Sequence, residues 1–81
     1  MHVTIRLFAR LREMAGTGEL ARDVDDGATA SDAWGLLIRE FPSMADYSRT
    51  VACAVNEEYA QWSTRLNNGD EVAFLPPVSG G

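Results

Sequence analysis

The sequence predicts an α+β domain, a mixed sheet of about five strands with one main helix packed on one face. Three observations predict it. Val3, Ile5 and Leu7 alternate with Thr4, Arg6 and Phe8, the two-residue period of a half-buried strand. Trp34, Leu37, Ile38 and Phe41 recur at i, i+3, i+4 and i+7, one apolar stripe of a helix that lies on a sheet. Finally, a strong turn signal, Asn67-Asn68-Gly69-Asp70, precedes the short apolar run Glu71-Val72-Ala73-Phe74-Leu75. The order of elements is ββαβ(β)β, which describes a small sheet covered on one side.

Each element has a local cause. The first strand covers residues 2–8, and the helix formers Leu11-Arg12-Glu13-Met14-Ala15 follow until Gly16 stops them. Gly16-Thr17-Gly18 is a turn, and residues 19–25 alternate again up to Asp26-Gly27. Thr29 is placed to cap the main helix, with Asp32 as its acidic third residue near the positive end of the helix dipole. Pro42 ends that helix, Trp34 is a core residue, and Gly35 marks close packing. Residues 43–50 are weakly patterned, a loop with some helical turn. Val51–Val55 is a strand, Asn56-Glu57 a turn, Tyr59–Ser63 a short strand and Glu71–Leu75 the last strand.

Composition narrows the function. Eighty-one residues with 46% hydrophobic content make one small domain of modest stability. A net charge of −5 and a pI near 4.6 argue against nucleic acid or an anionic membrane as partner. With no N-terminal apolar segment and no long apolar run, a cytoplasmic protein is expected. The single cysteine makes no internal disulfide. Period two puts Cys53 on one face with Val51 and Val55, so it reads as a small buried thiol, with a catalytic or persulfide-carrying role as the alternative. His2 has no partner at ligand spacing, and no metal site is expected. All seven basic residues are arginine, so no lysine of the chain's own can take up an activated carboxyl group.

The most informative segment is the end, Pro76-Pro77-Val78-Ser79-Gly80-Gly81. Two prolines make an extended spacer, and two glycines without Cβ let other chains close around the terminal carbon. The expected organisation is therefore a domain over residues 1–75 and an extended, flexible tail over residues 76–81. A carboxylate is a poor electrophile at neutral pH and is activated by transfer of AMP from ATP. The chain has neither Gly-x-Gly-x-x-Gly nor a Gly-x-x-x-x-Gly-Lys-Ser/Thr loop. The activating enzyme is then another protein, and this chain is its substrate. If Ile5 and Leu7 face the core, Phe8 faces outward, and with Phe74 inside, Leu75 faces outward at the root of the tail. An exposed apolar patch beside a reactive tail is a docking surface.

Across nearly its whole length the chain resembles the small subunits of molybdopterin synthase (MoaD), ubiquitin-like β-grasp sulfur carriers of the MoaD/ThiS family. Leu7-Phe8-Ala9-Arg10-Leu11-Arg12-Glu13, Ala54-Val55-Asn56 and Leu66 through Gly81 carry the resemblance. It implies the β-grasp topology, which periodicity alone leaves open. It also implies a cycle in which Gly81 is adenylated by a MoeB-like enzyme and converted to a thiocarboxylate. The tail then enters the large subunit, MoaE, and donates sulfur to cyclic pyranopterin monophosphate, a precursor of the molybdenum cofactor. The implied assembly is a heterotetramer, with no cofactor bound by the small subunit itself. Gly80 and Gly81 match the reactive tail, and Pro76, Pro77, Val78 and Ser79 lead to it. Phe8, Tyr59 and Leu75 fall where the family meets its partners through apolar residues, although an aliphatic is familiar at Tyr59 and an aromatic at Leu75. Arg12 and Glu13 match a charged pair with no role implied beyond packing and rim contacts. Two other readings stay open: a carrier for thiamin, cysteine or thiouridine synthesis, and a ubiquitin-like tag or interaction module.

Overall fold

Residues 1–77 are described by the structure, a computed structural model. The chain runs β1 (His2–Leu7), α1 (Ala9–Ala15), β2 (Glu19–Asp23), α2 (Ala30–Glu40), a 3-10 helix (Pro42–Tyr47), β3 (Ala52–Val55), β4 (Glu58–Ala60) and β5 (Glu71–Leu75). The five strands form one mixed sheet in the order β2-β1-β5-β3-β4. β1 and β5 run parallel at its centre, with Leu7 beside Phe74, and the other pairs are antiparallel. The expected α+β architecture, one helix on one face of a five-stranded mixed sheet, is the one observed.

The core lies between the sheet and α2. Val3, Ile5 and Leu7 from β1 and Val72 and Phe74 from β5 all point to that side and are buried, together with Leu11, Ala33, Trp34 and Leu37. An aromatic group fills the middle. Phe74 lies 5.1 Å from Trp34 in a tilted contact and 5.9 Å from Trp62 in a stacked one. The Trp34 indole N–H donates to Ser48 Oγ at 3.0 Å, so the ring is buried without stranding its donor. Trp62, expected within the short strand Tyr59–Ser63, instead follows β4 in a turn and still packs on the core.

The helix α2 starts as its sequence predicts. Thr29 Oγ1 accepts from the Asp32 N–H at 3.2 Å and the Asp32 carboxylate accepts from the Thr29 N–H at 2.9 Å, a reciprocal capping box. It stops at Phe41, one residue before Pro42. The Gly35 expectation is corrected: a Cβ there would meet nothing within 4 Å, so no neighbour packs closely on it. Other boundaries differ: β1 ends at Leu7 because Phe8 caps the short helix, which begins at Ala9 rather than Leu11. β2 ends at Asp23, β3 begins at Ala52 with Val51 buried just outside it, and β4 is only three residues long. Strands at and near an edge lose ladder partners quickly, so alternation in sequence outlasts pairing in space. The helical turn expected within residues 43–50 is the 3-10 helix, which places Met44 fully in the core.

The edge strand β2 is tied to α2 by a forked ion pair, with Arg22 Nε and Nη2 donating to the two oxygens of Glu40 at 2.8 and 2.6 Å. That hydrogen bonding holds the Glu40 carboxyl below its ordinary range, against a smaller opposing effect of burial. A carboxyl lowered in the folded state contributes stability above its unfolded pKa and loses it as pH falls through the folded value. Glu40→Gln is therefore expected to destabilise the protein by about 0.5–1 kcal/mol at neutral pH and by less at about pH 3, since the pair is partly solvated. Thermal melts of both proteins at the two pH values check this, and equal differences at both would show that the pair contributes no proton linkage.

Candidate functional site

The sheet face opposite α2 is where the candidate residues meet. Register places Arg6 beside Ala73, Ala73 beside Ala54 and Ala54 beside Tyr59, one row running across four strands. Two alanines in the middle of that row leave a shallow depression of about 260 Å³. Phe8 and Leu75 line it on the tail side and Tyr59 on the β4 side, with Glu57 and Glu71 also on its wall. Tyr59 is 81% exposed and Phe8 38%, the two large hydrophobic residues left open to solvent among the described residues. Leu75 is half-buried at the end of β5, and Pro76 and Pro77 continue directly from it. Of the expected partner-binding residues, Phe8, Tyr59 and Leu75 are thus brought to one groove at the root of the tail.

Local backbone geometry sets each wall. Phe8 keeps the outward phase of β1 in an extended conformation, φ −130° and ψ 158°, while its carbonyl accepts from the Leu11 and Arg12 N–H groups at 3.1 and 3.3 Å. Ala9 must then turn sharply and takes φ +49°, a left-handed value that costs an alanine about 1 kcal/mol or more. That turn swings Leu11 into the core within three residues of outward-facing Phe8. Tyr59 is held out by the β3–β4 hairpin, whose two loop residues Asn56 and Glu57 have φ +51° and +71°. The hairpin is pinned to β5: the Asn56 side-chain amide donates to Asp70 at 3.0 Å and its oxygen accepts from the Glu71 N–H at 3.0 Å.

Charge in the groove is partly neutralised. Arg6 donates to Glu71 at 3.1 Å, and its guanidinium carbon lies 5.7 Å from the centre of the Phe8 ring. Arg6 therefore extends the groove with a flat cation that also supports the ring. Arg6, Ala54 and Ala73 escaped sequence reasoning. Their signal was present, since alternation from Phe8 puts Arg6 on its face, but the small residues became meaningful only once register lined them up.

The remaining candidates lie elsewhere. Gly80, Gly81, Val78 and Ser79 fall outside the described residues. Cys53 is buried in the core, its thiol donating to the Ala60 carbonyl at 3.3 Å, and burial raises its pKa, which disfavours the thiolate that catalysis requires. The structure thus supports the core reading of that residue. Arg12 stretches along Gly18, where a Cβ would lie 3.3 Å from its Nε, and Glu13 pairs with Arg10 at 3.2 Å. Both are consistent with packing around the short helix. Among the described residues no three metal-ligating side chains gather, and no helix is long and apolar enough to cross a membrane.

The parallel β1–β5 centre, antiparallel flanks and single covering helix define a ubiquitin-like β-grasp protein, here with a shallow groove at the foot of its C-terminal segment. The ThiS family matches residues 5–81, and the chain belongs to that family. It is 37% identical over 83 residues to the molybdopterin synthase sulfur carrier subunit of Chlamydomonas reinhardtii, with 100% of both chains covered. It is 36% identical over 81 residues to the subunit of the same name from Arabidopsis thaliana, covering 100% of this chain and 84% of the relative. Among solved structures, the small archaeal modifier protein 1 of Haloferax volcanii superposes with a TM-score of 0.83 at 33% identity, covering 95% of this chain and 98% of that one.

Proposed function

We propose that this chain is the sulfur-carrier small subunit of molybdopterin synthase. The observation that carries the reading is the family match running through Gly81, together with relatives of that name aligned over the whole chain. The Gly81 carboxylate attacks the α-phosphate of ATP in a separate adenylating enzyme of the MoeB type, and pyrophosphate leaves. Hydrosulfide then attacks the Gly81 acyl carbon and displaces AMP, leaving a thiocarboxylate on Gly81. In the large subunit, MoaE, the thiocarboxylate sulfur bonds to cyclic pyranopterin monophosphate, and water cleaves its bond to the Gly81 acyl carbon, which leaves the sulfur on the pterin and regenerates the Gly81 carboxylate. Two such transfers supply the dithiolene of molybdopterin. The assembly is a cytoplasmic heterotetramer, with one small subunit at each end of a large-subunit dimer.

The groove suits this role because both partners must hold the domain while the tail reaches inward. Six residues from Pro76 to Gly81 span at most about 20 Å, so the chemistry lies within that distance of Leu75. Phe8, Tyr59 and Leu75 provide an apolar contact at the right place, and residues 76–81 act as the reaching segment.

Intact mass after incubation with ATP, an adenylating enzyme of this family and a sulfide source tests the first half of the cycle. A gain equal to exchanging one oxygen for one sulfur is expected, and adding the large subunit with the pterin precursor should discharge it into molybdopterin. A loaded chain that the large subunit cannot discharge would assign it to another sulfur pathway. Amide-linked conjugates to lysines of other proteins, with no thiocarboxylate, would replace the proposal with a protein tag.

A further inference from the structure

We infer that Glu57 is a specificity-determining residue of the docking groove, its carboxylate receiving a guanidinium or ammonium group of the partner protein beside the apolar side chain that the groove takes. The inference rests on the proposed function, since it presumes that the groove is where the partner docks. Of the non-glycine residues with positive φ among the described residues, Ala9, Asn56 and Glu57, it is Glu57 that lines the groove. Asn56 tolerates that conformation, but at the second position of such a two-residue hairpin glycine is the favoured residue and a glutamate is strained. The strain is sustained by the surroundings, because Asn56 is hydrogen-bonded at both ends of its amide to Asp70 and Glu71.

A strained residue standing on the wall of this groove points to its side chain as the thing of use. Glu57 lines the groove, is exposed, and makes no ion pair within 4 Å among the described residues, whereas Glu71 beside it is taken by Arg6. Beside the Arg6–Glu71 pair, one wall of the depression therefore offers a negative charge with no ion-pair partner among the described residues. The chain as a whole is at −5, which favours a partner surface of the opposite sign. Tyr59, two residues on, supplies an aromatic face next to that charge, a pairing that suits a basic side chain.

Glycine at this position separates the two roles, because it relieves the backbone while deleting the carboxylate. Binding of the full chain to the molybdopterin synthase large subunit is measured by calorimetry at low and high salt, with thermal melts in parallel. Glu57→Gly is expected to raise Tm by a few degrees and to weaken binding about threefold to tenfold at low salt, the deficit closing toward 1 M salt. Glu57→Gln should show the same loss of affinity without the gain in Tm, and Glu57→Asp should retain most of the affinity. Wild-type affinity for Glu57→Gly, or a deficit that salt leaves unchanged, overturns the assignment while leaving the docking groove intact. Absence of binding by the unaltered chain removes the proposed function, and this inference with it.

Discussion

Deletion of Gly81 is expected to reduce molybdopterin formation to below about 1% of the wild-type rate while leaving the fold unchanged. The new terminus, Gly80, also carries a carboxylate, so the loss comes from position. Removing one residue withdraws the reacting carbon by about 3.5 Å, and misplacement of even about 1 Å at a reacting centre costs roughly a hundredfold. The core is built from Val3 through Phe74, so the melting temperature should stay within about 2 °C. Affinity for the large subunit should fall much less than the rate, because Phe8, Tyr59 and Leu75 remain. Mass spectrometry, a melt and a binding isotherm on the same preparation check the three parts. A truncated chain that still supports synthesis would show that the sulfur is carried elsewhere.

Phe74→Ala has the largest expected effect on the fold itself. Phe74 is fully buried between Trp34 and Trp62, and truncating a buried phenylalanine costs about 3–5 kcal/mol. A domain of this size has about 4–12 kcal/mol in total, so the melting temperature should fall by more than about 15 °C. The position also bears on function. Phe74 is the last inward residue before Leu75, and its ring anchors the strand from which the tail departs. Partner affinity should therefore fall even at temperatures where the variant is still folded. Phe74→Leu, which keeps most of the volume, should lose less than half as much stability. A loss under about 1 kcal/mol for the alanine variant would mean that the two tryptophans close over the gap.

Much of this was legible in the sequence because it depends on local chemistry. The alternation in residues 2–8, the Thr29 and Asp32 cap, the stripe through Trp34 and Leu37 and the glycine stop at Gly16 each report a backbone preference that acts within a turn or two. Phe8 and Leu75 were legible as outward residues for the same reason, since strand phase fixes the side on which a residue stands. Met44 and Trp62 were not, because a 3-10 helix and a turn carry no period that would mark one residue as buried.

The amino-acid sequence by itself determined the order of the main elements, the faces of the residues in the first and last strands, and the Gly80-Gly81 pair on which the proposed carrier role rests. Only the tertiary structure decided that β1 and β5 lie side by side, that Arg6, Ala73, Ala54 and Tyr59 fall in one row, and that Phe8 and Leu75 meet there although 67 residues separate them in the chain. The physical reason is that strand pairing is a non-local choice. Hydrogen bonding between strands is nearly the same for any partner, so order and register follow from burying Val3, Ile5, Leu7, Val72 and Phe74 under one helix, and the groove on the opposite face is set by that packing.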